Sequence, residues 1–335
     1  MLRWILKNWF VIGILASVAL GVLLPSASSM LNPSGTTTSI ITLVLFFLIG
    51  VTLPSERIAA GLRELRLHLL TQVFIFILVP AYFALTAPLF RDYLDGSLTV
   101  GLYALSVLPT TVSSCTVFTQ SAEGNTVGTM FNAALANIAG VVIAPLLLSL
   151  LLQTGGRGLP ADEVLGVLGD LALNMLAPIL LGQLARILVS SFVDQNRKRL
   201  GLASNALILT IVFFSVSRSA ANPAFLENIA GLGLPFLFLA LSHLALLAAA
   251  LGLSFLFGLS RENRISVSFT APQKTLAMGV PLLLIYFART PEILGVAMLP
   301  LLFYHPWQLI VAGFVRNAYT RRKAPREQET EEENA

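Results

Sequence analysis

The chain has 335 residues, of which 56% are hydrophobic and 11% charged, and its mean hydropathy is +0.82. A soluble chain carries about 25% charge, so an ordinary soluble domain is excluded and a lipid bilayer is the expected solvent. The single cysteine, Cys115, excludes an internal disulfide and a cysteine metal cluster.

Apolar runs of about 20 residues recur from end to end. They predict ten spans, centred near residues 16, 46, 78, 110, 139, 178, 210, 245, 273 and 303. The first run, residues 8 to 24, lacks a small-x-small cleavage site and leads into a multi-spanning pattern. It therefore reads as helix one and not as a cleaved leader. Span four (98 to 122) and span nine (264 to 286) are weakly hydrophobic in their middles, where Pro109 and Pro272 stand. Proline lacks an amide hydrogen and clashes with the preceding turn, so each of these helices should break there. The second break carries Lys274 beside Gln273, and an intramembrane lysine marks a functional site by default.

Pro109 and Pro272 are 163 residues apart, and adding 163 to the first five span centres brings each within about four residues of one of the last five. The expected fold is an all-α multi-spanning membrane protein with ten transmembrane helices in two five-helix repeats, residues 1–159 and 160–320, before a tail at 321–335. An odd number of helices per repeat makes the repeats inverted, with helices four and nine discontinuous. That layout is typical of secondary transporters.

Charge orients the spans. With both termini cytoplasmic, 16 basic residues face inward: Arg3, Lys7, Arg57, Arg63, Arg66, Arg186, Arg197, Lys198, Arg199, Arg261, Arg264, Arg316, Arg321, Arg322, Lys323 and Arg326. Only Arg91, Arg157, Arg218 and Arg289 face outward, and Lys274 completes the 21. The net charge of +4 follows from this topology, so no nucleic-acid partner is invoked. The location expected is a bacterial inner (plasma) membrane. The acidic stretch Glu327 to Ala335 reads as a solvated, disordered end.

Five stretches carry a family resemblance. They are Phe46-Phe-Leu-Ile-Gly-Val-Thr-Leu53; Leu108-Pro-Thr-Thr-Val-Ser-Ser-Cys-Thr116 with Gly124, Asn125, Asn132 and Asn137; Asn174-Met-Leu-Ala-Pro178 with Gly182 and Gln183; Thr270-Ala-Pro-Gln-Lys-Thr275; and Leu299-Pro-Leu-Leu-Phe-Tyr-His-Pro-Trp-Gln-Leu309. In this order they resemble the bile acid:sodium symporter superfamily, solute carrier family 10, in the subgroup like its seventh member. The resemblance implies a panel domain from helices 1, 2, 6 and 7, a core domain from helices 3–5 and 8–10, and a crossing of helices four and nine near the midplane. It also implies sodium coupling, but the residues depart from the sodium-coupled members. Phe269 stands where they have a glutamate, Lys274 follows the glutamine where they have an asparagine, their helix-four serine-asparagine pair is Ser114-Cys115, and Ala133 replaces a threonine ligand. Ser114, Thr129 and Gln273 are what remains of the sodium ligand set.

Broken half-helices present partial positive charge at their amino ends and negative charge at their carbonyl ends, so a crossing can hold an ion. The candidate site is Ser113, Ser114, Cys115, Thr116, Thr129, Asn132, Thr270, Gln273, Lys274 and Thr275, with Gln72, Asn137 and His305 behind it. Lys274 either takes the place of the coupling cation, pairing with an anionic substrate or exchanging a proton, or it tethers the free carbonyls of helix four. His305 is a proton relay or a partner of freed backbone groups. Asp170 reads as interfacial and Glu123 as the cap of a cytoplasmic turn.

The expected activity is secondary active transport of a small anionic organic solute by alternating access. No cofactor is expected, Na+ or H+ is the coupling ion, the solute and the bilayer are the partners, and the oligomeric state is left open. The alternatives are cation/proton exchange and a non-transporting regulator. An enzyme is not expected: there is no HExxH, and His68, His243 and His305 are scattered.

Overall fold

The computed structural model describes residues 9–52, 64–90, 96–154, 172–221, 231–287 and 294–321, with 166 and 169 as isolated positions. Asp170, Arg91, Arg157, Arg289 and the acidic tail lie outside the described residues. Among the described residues every regular element is helical. In chain order these are α1 (Trp9–Leu23), α2 (Ala27–Leu31), α3 (Thr36–Thr52), α4 (Leu65–Val73), α5 (Val79–Thr86), α6 (Gly96–Val107), α7 (Ser113–Ser121), α8 (Thr126–Thr154), α9 (Ala177–Ala220), α10 (Gly233–Leu256), α11 (Arg261–Thr270), α12 (Leu276–Tyr286) and α13 (Leu294–Arg321).

Five continuous helical runs among the described residues are long and apolar enough to cross a membrane: Leu65–Leu89, Thr126–Leu152, Leu173–Ala220, Gly233–Leu256 and Leu294–Thr320. Shorter apolar helices include α1, α3, α6 and α12. The outer faces of the long runs carry large apolar side chains such as Leu188, 87% exposed, and Leu85, 76% exposed. Surfaces of that kind are stable against acyl chains and not against water. This is a multi-spanning integral membrane protein.

Two local departures from simple spans have physical causes. A π turn, Phe74–Leu78, joins α4 to α5 just ahead of Pro80, and the Val79 amide bonds the Phe74 carbonyl. In that wider register the carbonyl of Ile75 would take the amide of residue 80, but a proline has none to give. Ile75 is left with an orphan acceptor inside the protein. The second departure lies between spans six and seven, two helical stretches that meet at a kink at Val189 with no loop between them. Residues 188–200 contain neither proline nor glycine, so α9 runs on through them, and only Val189 (φ −122°, ψ 20°) leaves helical geometry.

On one side α9 packs along both α1 and α3. Glycines set the spacing: Gly13 meets Leu209 and Gly21 meets Val216 along parallel stretches of α1 and α9. Where α9 meets α3 the contact is backbone to backbone, Gly50 against Ile179 and Gly182 against Phe47. Arg186 Nη1 donates to the Val51 carbonyl at 3.0 Å, and Gln183 donates to the Gly50 carbonyl. Elsewhere α6 is enclosed by α8, α12 and α13. Its residues Gly101 to Val107 are all buried, and Gly101 lets the α13 backbone at Ala297 approach. This enclosed helix leads straight into the first break.

Candidate functional site at two facing helix breaks

Helix four stops after Val107 and resumes at Ser113; helix nine stops after Thr270 and resumes at Leu276. The two gaps touch directly, since the Thr275 amide donates to the Pro109 carbonyl at 3.0 Å. At membrane depth every carbonyl freed by such a break needs a protein donor. Here most of the donors can be named. Asn137 Nδ2 serves the Thr110 carbonyl at 2.9 Å, the Cys115 thiol serves the Phe269 carbonyl at 2.8 Å, and the Tyr304 hydroxyl serves the Pro272 carbonyl at 2.8 Å.

Lys274 closes the largest gap. Its Nζ donates to the carbonyls of Leu108 at 2.7 Å, Ser106 at 2.8 Å and Ile75 at 3.3 Å. The first two are freed at the carbonyl end of α6, and the third is the acceptor stranded by Pro80. An ammonium has three donors and no acceptor, and all three are used. The negative end of α6 faces the same group. With 2% of its surface exposed, the lysine is sealed in this arrangement.

The backbone of Lys274 is gripped from α13. Gln308 accepts from the Lys274 amide with Oε1 and donates to the Lys274 carbonyl with Nε2, both at 2.8 Å. The amide hydrogen fixes the orientation of the carboxamide, so its second Nε2 hydrogen points at His305 Nδ1, 3.0 Å away. That ring nitrogen is an acceptor. One turn earlier, Tyr304 spends its only hydrogen on Pro272, so His243 Nδ1, 2.9 Å from the phenol oxygen, carries a hydrogen. His305 also meets the Phe10 ring of α1 edge to face, at 5.6 Å between centroids.

On the opposite side of the crossing, Gln273 Oε1 accepts from Thr111 at 3.0 Å and from Ser114 at 3.2 Å. No hydrogen bond holds its Nε2 among the described residues. Ser113, exposed, and Ser114, half-buried, open this end of α7 to solvent. Phe269 stacks on Phe118 with centroids 5.6 Å apart and also touches Tyr319. Packed rings therefore surround Phe269, the position at which the resemblance implies a glutamate in the sodium-coupled members.

The remaining sequence candidates fall into separate groups. Gln72 Nε2 bonds the Asn132 carbonyl at 3.1 Å and its Oδ1 at 3.2 Å, while Gln72 Oε1 is buried without a partner. Thr129 joins Thr119 at 3.0 Å and Ser266 at 2.7 Å, tying α8 to α7 and α11. Thr116 and Thr270 bond back to their own helices, and Thr275 caps α12. Glu123 occupies the turn between α7 and α8 at φ 58°. A β-carbon at the next position would strike Ile265, so Gly124 is needed for packing and the left-handed position falls to Glu123. Thr111, Ser106, Tyr304 and Gln308 were missed in the sequence reading. Polar side chains in the apolar spans four and ten were the available signal.

The model of the SBF-like CPA transporter family matches residues 8–321. The chain belongs to this family. Among its relatives, the Uncharacterized protein PA2026 of Pseudomonas aeruginosa is 30% identical over 320 residues, covering 95% of this chain and 94% of the relative. Sodium/bile acid cotransporter 7 of Danio rerio is 28% identical over 314 residues, covering 92% of each, and the Putative symporter YfeH of Escherichia coli is 29% identical over 283 residues, covering 83% and 82%. Membership of the SBF-like CPA transporter family makes this a transporter-family membrane protein related to bile acid:sodium symporters, as the five sequence stretches imply.

Proposed function

We propose that the chain is a secondary active transporter of a small anionic organic solute in a bacterial inner membrane, with both termini cytoplasmic. In this reading it has ten helices in two inverted repeats. The solute meets the protein at the open end of α7, where the first amides of the helix, the unpaired Gln273 Nε2 and the hydroxyls of Ser113 and Ser114 present hydrogen-bond donors. Alternating access moves the body containing the crossing against the α1, α3 and α9 layer. The crossing itself stays intact.

The observation that carries the coupling argument is Lys274 with all three donors spent on backbone carbonyls. A lysine placed so takes over the role of a coupling cation at the carbonyl end of α6. A second positive charge 4 Å away would meet a repulsion of about 4 kcal/mol at an effective dielectric of 20. The aromatic packing of Phe269 removes the carboxylate that could offset it. Coupling to sodium through this site is accordingly weak or absent, and a proton gradient is the alternative driving force.

The test is thermal unfolding of the purified chain in sodium chloride against choline chloride, for the native protein and Lys274→Ala. The native midpoint should be the same in both salts. Removing the lysine should lower it in choline, because orphaned buried acceptors cost about 1–3 kcal/mol each, and sodium should restore part of the loss by binding the vacated carbonyls. Sodium-specific stabilisation of the native chain would overturn the surrogate-cation reading. Uptake of taurocholate into proteoliposomes, with a sodium gradient, a pH gradient or neither, tests transport itself, and a non-transporting regulator shows none.

A further inference from the structure

A cavity of about 420 Å³ lies far from the crossing, where the corner between α1 and α2 meets the last turn of α9. Its lining includes Ser26, Ser28, Ser29, Asn32 and Arg218, and the arginine is the only charged residue among its described lining residues. The walls are fixed by bonds that leave three donors free, the buried Ser28 and, at the open side of the cavity, the exposed Ser26 and Arg218. Ser217 donates to the Leu24 carbonyl at 2.7 Å and accepts from the Ser28 amide at 3.0 Å, which clasps the corner to α9. Asn32 is committed to Thr38 and to the Thr37 amide. By contrast, the hydroxyls of Ser26 and Ser28 and the Arg218 guanidinium make no hydrogen bond or ion pair with any described residue. Ser28 is only 4% exposed, so what its hydroxyl can reach is the cavity.

We propose that this cavity is a binding site for an oxyanion, a carboxylate, sulfonate or phosphate group, held by the Arg218 fork and the hydroxyls of Ser26 and Ser28. A guanidinium matches the two oxygens of such a group in a planar, bidentate pair. Hydroxyls can turn their hydrogens toward the same charge. Among the described lining residues no acidic side chain competes for the arginine. On the expected topology Arg218 lies on the sparsely charged outer face, remote from the basic cytoplasmic loops. An organic anion and an anionic lipid headgroup present the same chemistry there. The solute arm of this inference rests on the anion-transport reading; the binding site itself does not.

The experiment measures sulfate and phosphate binding to the full chain by calorimetry at constant ionic strength with chloride as reference, in phosphatidylcholine nanodiscs. Native protein should bind both oxyanions. Arg218→Gln should lose at least tenfold in affinity, while Arg218→Lys, which keeps the charge at the carbonyl end of α9 but loses the fork, should be intermediate. No oxyanion-specific heat from native protein, or equal binding by native and Arg218→Gln, overturns the site. Repeating the titration in phosphatidylglycerol nanodiscs separates the sources: loss of sulfate binding there identifies a lipid headgroup as the occupant, and retention identifies a soluble anion. In taurocholate uptake, the soluble-anion outcome predicts a raised KM with kcat unchanged for Arg218→Gln. Arg218-dependent binding by a chain that transports nothing would sink the transport reading and leave the site standing. Uptake by Arg218→Gln at the native KM would do the reverse to the solute arm.

Discussion

At the scale of single residues, the crossing is held by side chains that replace the hydrogen bonds a continuous helix would have made. Lys274 was legible in the sequence because a charge in an apolar span is costly and stands out. Its role was not, because the tether and the cation-like reading differ only in where Nζ points, and Ile75 becomes an acceptor only through the π turn before Pro80. Gln308 shows the same limit from the other side. It lies in an ordinary helical stretch of span ten, and only the folded chain brings it to the amide and carbonyl of Lys274. Gln308→Leu should therefore strand two buried backbone groups at about 1–3 kcal/mol each. The expected result is a loss of about 2–6 kcal/mol of stability, several times that of a neighbouring lipid-facing change such as Ile310→Leu, read by thermal unfolding. Equal midpoints for the two variants would show that the clamp does not hold the break.

At the scale of elements, the two breaks were predictable because Pro109 and Pro272 stand in polar, weakly hydrophobic span centres; proline alone does not decide it, since Pro145, Pro281, Pro300 and Pro306 lie inside continuous helices. The kinked, loop-free junction of spans six and seven was not. A hydropathy window sees a polar interval between two apolar runs and cannot tell a loop from a helix, whereas Gln, Lys and Arg among residues 190–199 are good helix formers. Only the single non-helical residue Val189 marks the division. Packing along α9 depends on glycines that carry no hydropathy signal of their own. Gly182 admits the backbone of α3 at Phe47, so a side chain there must push the two helices apart. Gly182→Leu should cost about 1–3 kcal/mol or more through overpacking. Gly252→Leu on α10, where nothing lies near the added carbon, should be close to neutral. Comparable thermal midpoints for these two variants would contradict the close packing of α3 on α9.

For the whole molecule, the decisive issue is whether the crossing opens during transport or travels as a unit. Its bonds join the π turn before α5 with α6, α7, α8, α11, α12 and α13 into one network, including the three Lys274 contacts, the Gln308 clamp and the Thr110 to Asn137 link. Separating the breaks would orphan many buried backbone groups at once, at about 1–3 kcal/mol each. Sliding that body along α1, α3 and α9 instead breaks mainly apolar contacts, the Phe10 to His305 ring contact and the hydrogen bond from the Gly295 amide to Ser219 at 2.8 Å. Cys115 reports on the difference because it is the only cysteine, is fully buried, and donates to Phe269 inside the network. During turnover with any solute found to be transported, a small membrane-permeant maleimide should leave Cys115 unmodified. Ser113→Cys in a Cys115→Ala background should label readily, since residue 113 is exposed at the open end of α7. A Cys115 labelling rate that rises with transport would mean that the two breaks part in each cycle, and Lys274 would then be a gate between them instead of a fixed occupant.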